Sequence, residues 1–410
     1  MNSGSVRTEM SGQTAAKTFV AVAGPSLISL VPMAVAPALP AMAQRFAQGG
    51  DGALFAQMVM AVPALMIIVA ASLSGFLAER LGRRTVLLSG LLLYALAGLA
   101  CLIVPDAGTL IAARLVLGFA AGAVMTSSLS LVADFPEGAS RDRVLGFASA
   151  GAAVMAVFAL TLGGLLVEAF GWRGPFALYA LALPVFVVAL RAVKSVPRAP
   201  NDAENSRRRV LPMLWPVYVL ALVLTIGLFM PGVQGPFLLQ AEGVTNAATQ
   251  GMILASYSLT AAVVAACYGR IAGLLGMRWQ IAAAALGLGL GGIAMALLHG
   301  GALTLALGCI ITGAGAGLVE PVTVSLVLQR APAALQTRAI GLLLSAVFLG
   351  QFLNPLVVDP LRSGLGIHGA FIVVGVAFLA LSALALLGGL GRLANPGVAG
   401  PGATPQSTPR

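Results

Sequence analysis

Runs of about twenty apolar residues follow one another along almost the whole chain, and a run of that length crosses the hydrocarbon core of a bilayer as a helix. They constrain the fold severely. In hydrocarbon every backbone N–H and C=O must be bonded internally, which leaves helices or a closed barrel, and the runs are too long and too continuous for barrel strands. Twelve can be marked, at about 19–42, 55–77, 84–104, 107–132, 143–167, 174–192, 212–233, 251–272, 279–298, 302–328, 339–361 and 368–391. Only 9% of the residues are charged, against roughly a quarter in soluble domains, which excludes a water-soluble globule. The fold class expected is an all-α integral membrane protein with twelve transmembrane helices.

The formal charge of +10 would suggest nucleic acid if it lay on one soluble face, but it follows the loops and so reports topology. All the Lys and Arg fall on alternate, same-side loops and termini except Arg45, Arg173 and Arg362 on the other side and Arg114 within a run. The basic side is expected to be cytoplasmic, with both termini inside. The first run ends in small residues, A-M-A-Q at 41–44. It is read as a retained span, because cleavage of a leader there would leave eleven spans and break an internal repeat.

That repeat joins two regions. G-R-I-A-G-L-L-G-M-R at 269–278 repeats the glycine and arginine frame of 75–84, 194 residues on, and Gly118, Gly122 and Gly146 recur as Gly313, Gly317 and Gly341, displaced by 195. A constant displacement across two regions points to two similar halves. The polar interval 193–211 then reads as a linker between a first half, 18–192, and a second, 212–391. Residues 1–17 form a polar leading segment and 392–410 a Pro/Gly/Ser/Thr-rich tail expected to be disordered.

The turn Gly75–Leu87, G-F-L-A-E-R-L-G-R-R-T-V-L, is the chain's most specific stretch. Glu79, Arg80, Arg83 and Arg84 are too costly to leave in hydrocarbon, and Gly75 and Gly82 suit close or sharply turning helix ends. It resembles the signature loop between the second and third helices of the major facilitator superfamily, with Glu79 where the family usually has Asp. The resemblance implies two pseudo-symmetric six-helix halves with substrate held between them, and an ionic latch formed by this cluster. In the second copy Gly273 replaces the acid, so the latch should be stronger in the first half. R-L-V-L-G at 114–118 resembles the fourth-helix motif, which carries a role in proton coupling to Arg114. V-Q-G-P-F-L-L at 233–239 and F-L-G-Q-F-L-N-P-L-V-V at 348–358 resemble helices of bacterial efflux-type members. The fifth span keeps Gly163 and Gly164 of the antiporter motif G-P-x-x-G-G but has Ala159 and Leu160 in place of Gly-Pro.

Glu320, in G-A-G-A-G-L-V-E-P, is an intramembrane carboxylate and therefore a functional candidate, able to carry a proton or to attract a cationic substrate. Ser26, Ser29, Gln57, Gln234, Tyr257, Gln351 and Asn354 are the cavity candidates, with helix-to-helix bonding an equal alternative for the last two. This polar set is sparse, so the cavity should be mostly apolar. No catalytic constellation, phosphate-binding loop, cofactor site or metal-ligand spacing is visible, and Cys101, Cys267 and Cys309 read as small hydrophobes. The expectation is a monomeric secondary transporter of a bacterial inner membrane, working by alternating access and exporting a small, rather apolar compound in exchange for protons. Uptake of a metabolite such as an organic acid, and a non-transporting membrane sensor, stand as alternatives. Nucleic acid is not an expected partner.

Overall fold

A computed structural model describes residues 3–47, 51–135, 139–193, 204–298, 301–332 and 335–389. Most of the linker and the whole C-terminal tail expected from the sequence lie outside those residues. So do the side chains of Gly75 and Glu79.

The described chain is helical, and ten of its helical stretches are long and apolar enough to cross a membrane. Two of these, Arg143–Ala192 and Arg338–Leu386, have 50 and 49 residues, about twice a single crossing. Each doubles back at one glycine with positive φ, Gly171 at 69° and Gly366 at 74°. The protein is therefore a twelve-crossing, multi-pass membrane protein. The crossings are α1 (Ser3–Met33), α2 (Gly52–Leu81), α3 (Arg83–Ala100), α4 (Ala107–Ser130), α5 (Ala139–Phe170), α6 (Ala182–Ala192), α7 (Glu204–Val233), α8 (Ala247–Ala266), α9 (Met277–Leu297), α10 (Ala302–Arg330), and α11 (336–365) and α12 (367–386) on either side of Gly366. Crossings α1 and α7 are extended by short helices, Leu39–Phe46 and Gly235–Ala241, and α6 by the 3-10 stretch Gly171–Leu181.

Four spans differ most from the sequence reading, among them α7, which begins at Glu204 inside the interval 193–211 expected as a linker. Helix α1 begins at Ser3, inside the segment expected to precede the membrane. The eighth span ends at Cys267 and a separate short helix, Tyr268–Leu274, follows. The sixth opens as a 3-10 helix through G-W-R-G-P-F, where Pro175 lacks an N–H and cannot sustain an α ladder.

Helix starts on the side opposite the Gly75–Leu87 turn are fixed by side-chain caps. Asp51 accepts from the N–H groups of Ala53 and Leu54, Asp106 from Thr109 and Asn246 from Thr249, at 2.8 to 3.0 Å. Each satisfies donors that a helix N-terminus otherwise leaves open. We call this the outer side and the side of the turn the inner side.

The helices of the first six crossings pack on those of the last six through α5 against α8 and α2 against α11. Burial along these helices is graded. Ala159 and Leu160 of α5, Gln250 and Leu254 of α8, and Val59 and Met60 of α2 are buried in the outer half. Leu145, Phe147 and Val154, then Leu259 and Val263, then Leu73 and Phe76 are exposed in the inner half. A methyl group built on Gly146 or Gly341, the repeat-related glycines of α5 and α11, would meet nothing within 4 Å. The halves are closed together on the outer side and parted on the inner side.

Candidate functional site: a cleft between the halves

Proline-broken backbone sets the geometry of the first half. Pro63 deprives the Val59 carbonyl of its i+4 donor in α2. At the end of α1 the N–H of Val35 turns back to Pro32 O, leaving Val31 O without its helical donor. Arg114 supplies both: its Nε donates to Val59 O at 2.8 Å and its Nη2 to Val31 O at 2.9 Å. Its Nη1 donates to the Tyr179 hydroxyl at 2.6 Å, and that hydroxyl donates to Val31 O at 2.9 Å. Arg114 is fully buried, so it does not reach out to the interface but ties α1, α2 and the 3-10 stretch before α6 together. Tyr94, edge-on to Tyr179 at 5.6 Å, adds a bond to Leu27 O. A methyl on Gly118 would lie 2.4 Å from Pro63 O, which is why this turn of α4 carries no side chain.

Glu320 sits on α10, three residues past Gly317, whose position against Ala261 O lets α10 touch α8. Its side chain is exposed, between the buried Val319 and the half-buried Pro321. Arg114 and Glu320 lie at different depths. Helices α4 and α10 both start on the outer side, and at 1.5 Å per residue Arg114 is about 10 Å along its helix and Glu320 about 27 Å along its own.

The turn on the inner side is fastened to its own half. Gly82 bends it with φ 82°, Arg83 donates to Ser130 O at 3.2 Å and Arg84 to Leu190 O at 3.0 Å. Those carbonyls end α4 and α6, where the helix dipoles favour cations. Arg80 lies over the Phe76 ring at 4.3 Å. In the repeat-related turn, Gly269 and Gly273 face open space.

Of the cavity candidates, the structure joins two. Gln57 and Gln234, both fully buried, exchange two amide hydrogen bonds at 3.1 and 3.0 Å across the halves on the outer side. Ser26 bonds its own helix at Val22 O, Tyr257 donates to Leu228 O, and Asn354 donates to Ile226 O of α7. Gln351 is buried on α11 and Ser29 is half-buried on α1. Gly163 packs on Ala34 O, and Gly164 on Ala247 O of α8, so the glycine pair of the fifth span serves close packing on the outer side.

Sequence reasoning missed three polar residues that seal this outer side. Glu168 accepts from the N–H of Ala247 at the start of α8, 2.5 Å away. Asp51 and Asp359 both receive the guanidinium of Arg362. Asp51 carried a local signal as a helix cap in G-G-D-G, and Asp359 one as the i,i+3 neighbour of Arg362; the partners across the halves are 79 and 311 residues away.

The family profile of the Major Facilitator Superfamily matches residues 23–355. The chain belongs to that superfamily. A methylenomycin A resistance protein of Streptomyces coelicolor is 47% identical over 119 residues, 29% of this chain and 24% of the relative. The multidrug resistance protein Stp of Mycobacterium tuberculosis is 38% identical over 151 residues, 37% of this chain and 28% of the relative. The chain thus spans about a quarter of the length of each. A crystal structure of the peptide transporter POT superposes with a TM-score of 0.74 over 93% of this chain and 96% of that one, at 17% identity, a likeness of fold.

Proposed function

We propose that this superfamily member is an alternating-access exporter of a small, rather apolar compound, driven by proton exchange, in a bacterial inner membrane. The observation that carries the reading is the parting of the halves on the inner side, and the exposed carboxylate of Glu320 on α10 is assigned to the cleft between them. The excess of Lys and Arg on that side supports a cytoplasmic placement, with both termini inside. In that orientation the structure is the inward-facing state, ready to take up cargo from the cytoplasm. The names of the two relatives, resistance to methylenomycin A and to multiple drugs, support export.

Glu320 is the proton carrier in this reading. It binds a proton when the cleft faces one side and releases it when the cleft faces the other. Arg114 acts from a distance, by holding the broken segments of α1 and α2 in place. The cluster around Glu79, Arg83 and Arg84 secures one conformation of the cycle. A second reading, uptake of a metabolite, is favoured by Ala159 and Leu160 standing where antiporters of the family carry Gly-Pro.

Vesicles carrying an imposed pH gradient and challenged with a panel of apolar compounds test the assignment. Substrate-evoked proton release in the unmodified protein, abolished in Glu320→Gln with the fold intact, is expected. Substrate flux without proton movement would remove the antiport assignment.

A further inference from the structure

The outer side is closed by a guanidinium shared between two carboxylates. Arg362 on α11 reaches Asp359 of its own helix through Nε at 3.1 Å and Nη2 at 2.5 Å, and crosses to Asp51 of the first half through Nη2 at 3.1 and 3.3 Å. Asp51 also caps α2 by accepting from the N–H groups of Ala53 and Leu54. We propose that Arg362 is the positioning residue of an outer gate, and that Asp359 competes with Asp51 for it and so sets how readily the gate opens. The inference rests on the alternating-access reading.

Separating the halves on the outer side must break the Arg362 to Asp51 contact, but neither charge is then stranded. Arg362 leaves with Asp359, because both ride on α11, and the aromatic face of Phe237, 5.7 Å away, also belongs to the second half. Asp51 stays with α2 and keeps its two backbone donors. Breaking a partly buried pair is costly chiefly when it leaves an uncompensated charge, and here each partner departs already satisfied. The gate can therefore hold the closed state without trapping it. Asp51 is the more open partner, with 44% of its side chain exposed against 13% for Asp359. Salt should weaken the crossing contact more than the internal one.

Competition predicts opposite signs for two similar substitutions. Asp51→Asn keeps the helix cap, since Asn caps as well as Asp, and loses the ionic attraction, so the outer side should open. Asp359→Asn removes the internal competitor and commits Arg362 to Asp51, so the outer side should tighten. A merely structural role for the cluster would move both in the same direction.

Spin labels at Ile103→Cys and Leu303→Cys, on strongly exposed outer positions of the two halves, read the separation directly by pulsed dipolar spectroscopy. The exposed Cys267 is replaced by Ala in the background. In Asp51→Asn the population at long distance should rise roughly two- to fivefold, the range expected for one exposed ion pair, and in Asp359→Asn it should fall. Raising salt on the otherwise unmodified protein should act like Asp51→Asn, which keeps the test available if either variant folds poorly. Two distances whose populations ignore both substitutions and salt, or move together, would overturn the gate while leaving alternating access standing. A single distance under every condition would overturn both.

Discussion

Arg114 Nε donates at 2.8 Å to the carbonyl of Val59, the group that Pro63 leaves without a helical donor. The same side chain serves Val31 O, orphaned where α1 breaks. Buried acceptors left open cost about 1–3 kcal/mol each, so the arginine lets the end of α1 and the proline-opened turn of α2 meet inside a membrane.

Arg114→Ala is therefore expected to destabilise the protein by about 1–3 kcal/mol for the Val59 carbonyl it abandons, since Val31 O keeps the Tyr179 hydroxyl. Pro63→Ala restores an N–H for the Val59 carbonyl and should reduce the penalty of Arg114→Ala when the two are combined. Thermal unfolding in detergent over the four proteins of this cycle measures the coupling. Penalties that simply add would show that Arg114 does not serve the carbonyl freed by Pro63.

How far the sequence discloses this arrangement follows from what each contact depends on. Span number is legible because hydrocarbon demands about twenty apolar residues whatever the neighbours are. The bend at Gly82 is legible as a motif, but the carbonyls that Arg83 and Arg84 reach, Ser130 O and Leu190 O, belong to helix ends 47 and 106 residues away and are not. The outer seal is not legible. Gln57 and Gln234 look like any polar residues in apolar runs until the fold brings them together across 177 residues. Glu168 looks like the end of a span until it caps a helix of the other half.

Acid should not open the outer side through Asp51 until it is strong. The N–H of Leu54 holds the carboxyl of Asp51 below its ordinary range; burial works against this, and Arg362 and the N–H of Ala53 add to the lowering. The backbone donors stay with Asp51 when the halves part, so only the lowering by Arg362 separates the closed from the open state, and it favours the closed state at pH above the open-state value, itself below the ordinary carboxylate range. The contribution is lost only as pH falls through the lower, bound value. Among the described residues Asp51 meets Arg362, which Asp359 shares, and the outer side also carries Glu168 and the Glu242–His368 pair. The long-distance population between labels on Ile103→Cys and Leu303→Cys is expected to stay level as external pH falls from 7 to about 5 in the Glu320→Gln background, which removes the proton carrier. A rise near neutrality in that background would assign acid opening to another group.

The amide pair beneath the gate should show the asymmetry of a buried reciprocal contact. Gln57→Leu leaves the Gln234 amide facing an apolar side chain in the closed state, at a cost of about 1–3 kcal/mol, whereas replacing both partners with apolar residues can be nearly neutral. In the open state water reaches Gln234, so the cost falls on the closed state alone and the equilibrium moves outward. Met60 is fully buried near Gly232 within the same seal. A cysteine placed there by Met60→Cys reports opening through its rate of reaction with an impermeant thiol reagent added outside. The rate should rise in Gln57→Leu and in Gln234→Leu, and return toward the starting value in the double substitution. A double variant that reacts as fast as either single one would mean that the seal depends on the shape of these side chains and not on their two hydrogen bonds.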